Sequence, residues 1–177
     1  MFTDPVKNLK AFGLREDSVV ADLGAGTGYY TLAASPLLSR GKIYAVEITR
    51  DFLTTIKNKV SETHLNNVEI LWGNVETLGG THLGDNIVDE VIASNILFQV
   101  EDKNKFIEEI RRILKPGGRV LLIDWSVESE KKEPSLFNLK GALPKDTALD
   151  IFQRKGFVLE RDIDAGAYHY GMILVKS

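Results

Sequence analysis

The sequence predicts an α/β protein with a doubly wound, mostly parallel seven-stranded sheet that ends in an antiparallel C-terminal strand. Two observations predict this fold. Apolar segments that resemble buried strands alternate with helical segments between Val19 and Trp125, which is typical of a parallel sheet covered on both faces. The last two strand-like segments are separated only by Asp164–Ala167. That connection is too short for a crossover between parallel neighbours, so we expect an antiparallel hairpin.

Each element has a local signal in the sequence. Arg40-Gly41 ends the first helix, and Asn66-Asn67 form a turn before the third strand. Apolar residues recur at helical spacing between Phe106 and Leu114, and Pro116-Gly117-Gly118 ends that helix. The predicted strands are Val19–Leu23, Lys42–Glu47, Val68–Trp72, Val88–Ser94, Arg119–Trp125, Phe157–Ile163 and Tyr168–Lys176, and the predicted helices are Tyr29–Leu38, Arg50–Glu62, Lys103–Lys115 and Thr147–Lys155.

Length and composition predict one domain over residues 1–177, since the chain has 177 residues of which 44% are hydrophobic. Residues 126–147 are polar with little periodicity, so we expect a mobile loop that forms a short cover, with one short helix near Phe137–Leu139. A net charge of −3 gives no sign of general nucleic-acid binding, although a local basic patch remains possible.

The residue types that are missing or scarce exclude several kinds of site. The chain has no cysteine, which excludes disulfides, cysteine–zinc sites and thiol chemistry. Three isolated histidines do not make a metal cluster, so we expect no metal. The N-terminal segment carries Asp4 and Pro5 and no long apolar run, so we expect neither a signal peptide nor a membrane span. A soluble cytoplasmic enzyme is therefore the expected class.

The most informative segment runs from Asp22 to Gly28, where three glycines alternate with other residues after a buried strand. Glycine allows a sharp turn and a close approach of the backbone to a ligand. Glu47 ends the next strand, so its carboxylate is placed to bind ribose hydroxyls in a nucleoside-binding βαβ unit. A dinucleotide fingerprint needs a third glycine where this chain has Tyr29 or Thr31, so neither register fits.

The pattern D-x-G-x-G-x-G resembles the class I S-adenosylmethionine (SAM) dependent methyltransferases, which have a Rossmann-like fold. The segment Arg111–Gly118 is similar to the R-x-L-K-P-G-G turn of these enzymes, and the resemblance extends from Val19 to Val175. It implies transfer of a methyl group from SAM to an unidentified acceptor, mainly by proximity and alignment, in the small-molecule branch that includes ubiquinone/menaquinone biosynthesis enzymes. A non-catalytic SAM-binding regulatory or scaffolding module remains an alternative, and an NAD-dependent oxidoreductase is a less favoured one.

The resemblance also implies a set of cofactor-binding residues. The glycine loop would pass under the methionine part of SAM, Glu47 would accept the ribose hydroxyls and Ile48 would cover the adenine. Asn74 stands where these enzymes usually have an acidic residue, so its amide oxygen would accept a hydrogen bond from the adenine amino group. The full predicted set is Asp22, Gly24, Ala25, Gly26, Gly28, Tyr30, Glu47, Ile48, Gly73, Asn74, Val75, Ser94 and Asn95.

Candidates for catalysis and acceptor binding lie after the later strands. His169, Asn95 and Asp124 are the candidate catalytic residues, and His169 is the one that could act as a base near neutral pH. Phe98, Gln99, Trp125 and Tyr170 are the candidate substrate residues. Trp72 is instead expected to lie in the core. The chain has no proline pair after Asn95, unlike enzymes that methylate base or glutamine amines.

A small-molecule acceptor is the expected partner, and a protein or RNA acceptor remains possible. The cover over the site is expected to be thin. A homodimer or another partner could therefore complete the substrate site.

Overall fold

The computed structural model describes residues 3–127 and 140–177 and contains the predicted seven-stranded sheet. The strand order is β3-β2-β1-β4-β5-β7-β6. The first five strands pair in parallel, and β7 is antiparallel to both β5 and β6. The fold class and the C-terminal hairpin are therefore confirmed. The strands are β1 Val19–Leu23, β2 Lys42–Glu47, β3 Val68–Trp72, β4 Val88–Ser94, β5 Leu114–Trp125, β6 Phe157–Ile163 and β7 His169–Lys176.

Five described α-helices flank the sheet. One of them, at the N-terminus, was not predicted, although the sequence carries its signals. Asp4 accepts a hydrogen bond from the Lys7 backbone N–H, proline occupies the first helical position, and Gly13 ends the helix in a left-handed conformation with φ 68°. The helices are α1 Pro5–Phe12, α2 Tyr29–Ala34, α3 Arg50–Glu62, α4 Lys103–Ile113 and α5 Lys145–Arg154.

Prolines explain the main differences from the predicted boundaries. The helix after the glycine loop stops at Ala34 and continues as a 3₁₀ turn, Ser35–Leu37, because Pro36 cannot donate an α-helical hydrogen bond. Helix α4 ends at Ile113, since Lys115 precedes Pro116 and such a residue disfavours the helical conformation. As a result, β5 begins at Leu114, which pairs with Val88 before the proline-glycine turn.

Two smaller differences concern helix α5 and strand β3. Helix α5 begins at Lys145, directly after Pro144 and inside the segment 126–147 that we expected to be a loop. The expected short helix near Phe137–Leu139 lies outside the described residues. Trp72, which the sequence analysis would place in the core, has 51% of its surface exposed because β3 is an edge strand.

Apolar residues on both faces of the sheet form the core. One layer joins the sheet to α4 and α5 through Phe106, Ile110 and Phe152. The other joins it to α1 through Leu9 and to α2 through Ala34. Full burial of each such side chain contributes about 1.5–3 kcal/mol. The sheet is thus fixed on both faces, so the carboxyl ends of its parallel strands form a rigid edge where a ligand can bind.

Helix α1 is also held by polar contacts. The Arg119 guanidinium donates to the carbonyl oxygens of Phe12 at 3.0 Å and Gly13 at 2.9 Å, and it pairs with Glu90. Arg161 donates to the Ala11 carbonyl oxygen at 2.8 Å. These contacts fix the end of α1 against the sheet. None of the described helices has the length and apolar character needed to cross a membrane.

Candidate functional site

Two adjoining cavities lie at the carboxyl ends of β1, β2 and β4. The larger has a volume of about 290 Å³ and the smaller about 220 Å³. They share Gly24, Gly26 and Gln99, so the glycine loop separates a β2–β3 side from a β4 side. The larger cavity is lined by Gly24, Gly26, Val46, Glu47, Ile48, Thr49, Phe52, Gly73, Asn74, Val75, Glu76, Ile96, Gln99 and Val100, and the smaller by Thr3, Asp22, Gly24, Ala25, Gly26, Thr27, Tyr29, Tyr30, Ser94, Asn95 and Gln99.

The glycine loop needs glycine for two different reasons. Gly24 and Gly26 both have left-handed backbones, with φ 68° and 55°. A Cβ on Gly24 would lie 2.6 Å from Ile96 Cδ1, whereas one on Gly26 would meet nothing within 4 Å. Gly24 therefore permits close packing against the loop after β4, and Gly26 keeps the floor of both cavities free of a side chain. The N–H groups of Gly24 and Ala25 donate to the Val46 carbonyl oxygen, which fixes the loop to β2.

Glu47 is the anionic side chain at the end of β2, and it is only 6% exposed. Its Oε2 accepts a hydrogen bond from Gly26 N at 2.8 Å, and its Oε1 accepts from Ile48 N at 2.9 Å and Thr49 N at 2.8 Å. Three backbone donors stabilise the charge without a cation. The carboxylate thus joins the glycine loop to the turn after β2 and faces the larger cavity.

Asp22 lies at the end of β1 and lines the smaller cavity. Its Oδ2 accepts a hydrogen bond from Thr31 Oγ1 at 2.6 Å, so it also fixes α2 to β1. Burial raises the pKa of Asp22 to about 6, against the opposing effect of the hydrogen bonds from Thr31. Near neutral pH, Asp22 therefore carries a negative charge that a cationic ligand would stabilise.

The loop after β3 forms the far wall of the larger cavity. Asn74 Oδ1 accepts a hydrogen bond from Glu76 N at 2.9 Å, and the Asn74 backbone N–H donates to the Gly80 carbonyl oxygen. Glu76 Oε2 in turn accepts from the backbone N–H groups of Glu101 at 2.7 Å and Asp102 at 3.1 Å. Hydrogen bonds therefore fix both ends of this segment, and the Asn74 side chain lies beside the cavity in a fixed orientation.

A buried ion pair supports the same loop from behind, and the sequence analysis did not predict it. Glu109 is fully buried and accepts hydrogen bonds from Gly79 N at 2.7 Å and from the backbone and side chain of Thr81. Arg112 donates to both oxygens of Glu109 at 2.8 Å. The spacing of Glu109 and Arg112 on one helix face is a signal in the sequence, but it does not reveal which loop they hold.

The loop after β4 lines the smaller cavity through Ser94 and Asn95. Asn95 has a left-handed backbone with φ 54°, which asparagine tolerates better than most residues. Its backbone N–H donates to the Ile123 carbonyl oxygen at 2.8 Å, and its carbonyl oxygen accepts from Gln99 Nε2 at 2.7 Å. Its side-chain Oδ1 is buried and has no hydrogen-bond partner within residues 3–127 and 140–177.

Asp124 lies away from both cavities. It is 1% exposed, and its oxygens accept from Phe98 N at 3.1 Å and Trp125 N at 2.7 Å. Burial raises its pKa to about 6, with these hydrogen bonds opposing the rise. Tyr170 lies opposite Asp124 on β7, and burial also raises the pKa of its hydroxyl. Asp124 therefore joins the loop after β4 to the end of β5.

His169 and Trp125 lie opposite each other on β7 and β5, with ring centroids 4.1 Å apart. By strand alternation they face the α1–α2 side of the sheet. Neither ring nitrogen of His169 has a hydrogen-bond partner in the described part of the chain, and burial lowers the His169 pKa to about 4. The imidazole is therefore neutral at pH 7 and has little strength as a base.

The two cavities bring together most of the predicted cofactor residues. Gly28 is the exception, since it packs against Ile56 of α3 instead. Of the candidate catalytic and substrate residues, Asn95 and Gln99 line a cavity. Sequence reasoning missed several lining residues because short loops carry no periodic signal. Those not predicted are Thr3, Thr27, Tyr29, Val46, Thr49, Phe52, Glu76, Ile96 and Val100, and those predicted but outside both cavities are Gly28, Asp124, His169, Phe98, Trp125 and Tyr170.

Comparisons with known proteins agree with this geometry. Residues 14–156 match a family model described as a methyltransferase domain. The ubiquinone/menaquinone biosynthesis C-methyltransferase UbiE of Escherichia coli is 34% identical over 116 residues, which cover 64% of this chain and 45% of that protein. This chain thus spans less than half the length of the curated relatives it matches.

Solved structures give the same result. A SAM-dependent methyltransferase from Aquifex aeolicus superimposes with a TM-score of 0.88 at 28% identity, covering 99% of this chain and 91% of that one. A complex between the Haloferax volcanii Trm112 methyltransferase activator and a putative methyltransferase has a TM-score of 0.77 at 18% identity, covering 97% of this chain and 89% of that one. At that identity the second likeness concerns the fold alone.

Proposed function

Because the chain belongs to the methyltransferase domain family, we propose that it transfers the methyl group of SAM to a small-molecule acceptor. One observation carries this proposal. The Glu47 carboxylate and the side-chain-free surface of Gly26 lie on the same cavity at the carboxyl ends of β1 and β2. An anionic group at the end of β2 fits ribose hydroxyls, and the open glycine surface fits a ligand that passes close to the backbone.

The residues present fit SAM in two parts. In the larger cavity Glu47 would bind the ribose hydroxyls, while Ile48, Gly73, Asn74 and Val75 would surround the adenine. The exposed Ile48 side chain is suited to cover an adenine face, and the Trp72 indole N–H donates to the Ile48 carbonyl oxygen at 3.0 Å, which fixes that turn. In the smaller cavity the methionine part would contact Asp22, Gly24, Ala25, Gly26, Tyr30, Ser94 and Asn95. Gly28 would act only indirectly, by letting α3 pack close to the loop.

SAM supplies a methyl group on a sulfonium, which a nucleophile displaces in line. The protein's contribution is to align the acceptor and to exclude water. Asn95 is placed for this role, since its buried Oδ1 can accept a hydrogen bond from an acceptor O–H or N–H. Gln99 would contact the acceptor from the same loop. Asp124 would act as a positioning residue, because its oxygens hold the backbone of that loop.

His169 does not fit the role of a strong base, because burial lowers its pKa to about 4. As a neutral imidazole it would donate and accept hydrogen bonds where the methyl acceptor binds, beside Trp125. Phe98 and Tyr170 would contribute packing there instead of direct contacts. A small-molecule acceptor is supported by the 34% identity to the ubiquinone/menaquinone biosynthesis C-methyltransferase UbiE. We also predict that a second copy or another partner completes the site and that the protein is cytoplasmic.

Titration calorimetry with SAM, S-adenosylhomocysteine (SAH) and NADH tests the proposal. We expect binding of SAM and SAH and none of NADH. Binding of NADH alone would overturn the proposal in favour of the oxidoreductase alternative. Transfer of a labelled methyl group from SAM to small molecules in a cell extract then distinguishes an enzyme from a SAM-binding module without activity, which would bind SAM but transfer nothing.

A further inference from the structure

A buried hydrogen-bond network connects α1 to the smaller cavity, and its centre is the Tyr30 hydroxyl. Tyr30 is 5% exposed and accepts a hydrogen bond from Asn8 Nδ2 at 2.8 Å. Ser94, at the end of β4, lines the same cavity as Tyr30. The Tyr30 hydroxyl donates to Thr3 Oγ1 at 3.2 Å. Three side chains, from α1, α2 and the N-terminal segment, therefore meet at one point.

In this network Asn8 Nδ2 donates to the Tyr30 hydroxyl, which in turn donates to Thr3 Oγ1. An amide nitrogen can only donate, so Asn8 uses one acceptor position of the phenol oxygen, and the phenol's single hydrogen goes to Thr3. Burial raises the pKa of Tyr30, so this hydrogen is retained at neutral pH. The reverse orientation of the Asn8 amide would leave two N–H donors buried without partners, in place of the single unpartnered Oδ1 that the structure has.

Thr3 therefore has its own hydroxyl hydrogen left to donate. Its oxygen accepts from Tyr30, and Thr3 Oγ1 donates to no described residue. Thr3 is 4% exposed and lines the smaller cavity. The network thus ends in a donor that is directed by buried neighbours and lies beside a ligand cavity.

The charge of the smaller cavity indicates what this donor would bind. Among the described lining residues there is no lysine or arginine, and Asp22 is anionic. An anionic ligand group bound here must therefore rely on neutral donors, namely backbone N–H groups, hydroxyls and the side-chain amides of Asn95 and Gln99. We propose that the Thr3 hydroxyl donates a hydrogen bond to the methionine carboxylate of SAM, with Tyr30 and Asn8 as positioning residues. This inference rests on the proposed function.

This role gives the N-terminal helix a function in cofactor binding. Asn8 reaches Tyr30, and Thr3 reaches the cavity, because α1 is held against the sheet by Arg119 and Arg161, and by the ion pair of Lys7 with Asp164 at 2.7 Å. The exposed ion pair contributes little by itself. The two arginines bind backbone carbonyl groups at the end of α1, so they fix its position independently of any ligand.

Titration calorimetry with two probes tests the proposal. The probes are SAH and decarboxylated SAH, which keeps the ammonium group and lacks only the carboxylate. A hydrogen bond to a charged group predicts that Thr3→Val weakens SAH binding about 10-fold to 150-fold and leaves decarboxylated SAH unchanged. Thr3→Ser should restore SAH binding. Thr54→Val, which removes a hydroxyl from the exposed face of α3, is the control and should change neither affinity.

Tyr30→Phe tests the positioning role, since Thr3→Val should cost less SAH affinity in that background than in the natural chain. Thr3→Val affinities equal to those of the natural chain, or an equal loss for both probes, would overturn the inference. SAH that fails to bind the natural chain would instead overturn the proposed function, so the two failures are distinguishable.

Discussion

Replacing Glu47 tests the proposed ribose contact most directly. The carboxylate accepts three backbone hydrogen bonds of 2.8–2.9 Å, and a carboxylate has about four acceptor positions. One position is therefore left, on Oε2, for one ribose hydroxyl, and the second hydroxyl would share a position with a backbone N–H. In Glu47→Gln one of the two oxygens becomes an NH₂ group, which faces either Gly26 N–H or the N–H groups of Ile48 and Thr49.

The expected loss can be worked from these contacts. A hydrogen bond to a charged group contributes about 1.5–3 kcal/mol, which corresponds to a roughly 10-fold to 150-fold weaker Kd for SAH. Glu47→Ala should lose affinity in the same range. It also leaves three backbone donors at a residue that is only 6% exposed, so its thermal stability should fall as well.

The assay is titration calorimetry of SAH at one pH, with thermal melting to show that each variant is folded. Glu62→Gln is the matched control, since it removes an exposed carboxylate at the end of α3. We expect the control to bind SAH as the natural chain does. A folded Glu47→Gln protein with an unchanged Kd would refute the reasoning, because it would place the ribose elsewhere.

Three further predictions follow from the same contacts. Gly26→Val should weaken SAH binding strongly, and it should lower the free energy of unfolding by about 1–2 kcal/mol because the left-handed backbone disfavours a branched residue. Calorimetry measures the SAH affinity and thermal melting the stability, and an unchanged SAH affinity would contradict the prediction. Asp124 has a pKa raised from 3.8 to about 6, so the folded state binds more protons between these values. The natural chain should therefore gain up to about 3 kcal/mol relative to Asp124→Asn as the pH falls from 7 to 4, measured by denaturant unfolding; parallel pH profiles would disprove it. His169 has a pKa lowered from 6.5 to about 4, so the natural chain should lose stability relative to His169→Phe as the pH falls from 6.5 to 4. A stability difference that stays constant from pH 7 to 4 would contradict the burial of the His169 imidazole.

Much of the fold could be predicted because its signals are local. The strands from Val19 to Ser94 have the predicted bounds, since continuous apolar runs bounded by turns indicate buried strands. Helix α1 was missed although Asp4, Pro5 and Gly13 mark its ends, because its eight residues make only about two helical turns. Trp72 was misplaced because a strand's apolar residues do not show whether the strand lies at the edge of the sheet.

Some residues of the candidate site could likewise be predicted from the sequence, and others could not. The glycine loop and Glu47 were predictable, since their spacing along the chain determines which backbone groups they can reach. The sequence could not show that Asp124 lies below the loop after β4, with its oxygens on backbone N–H groups, or that His169 is buried. Burial and the direction of a side chain depend on which strands become neighbours, so they require the three-dimensional arrangement.

The sequence by itself determined the fold class, the glycine loop and the resemblance to SAM-dependent methyltransferases, because these depend on residue patterns within short segments. The tertiary structure alone decided that Tyr30 joins Thr3 and Asn8 beside Ser94 in one cavity, and that β7 brings His169 beside Trp125. Thr3 and Ser94 are far apart in the sequence, and packing on the sheet brings them to one cavity. Long-range contacts of this kind depend on the shape of the whole core, which no local pattern encodes.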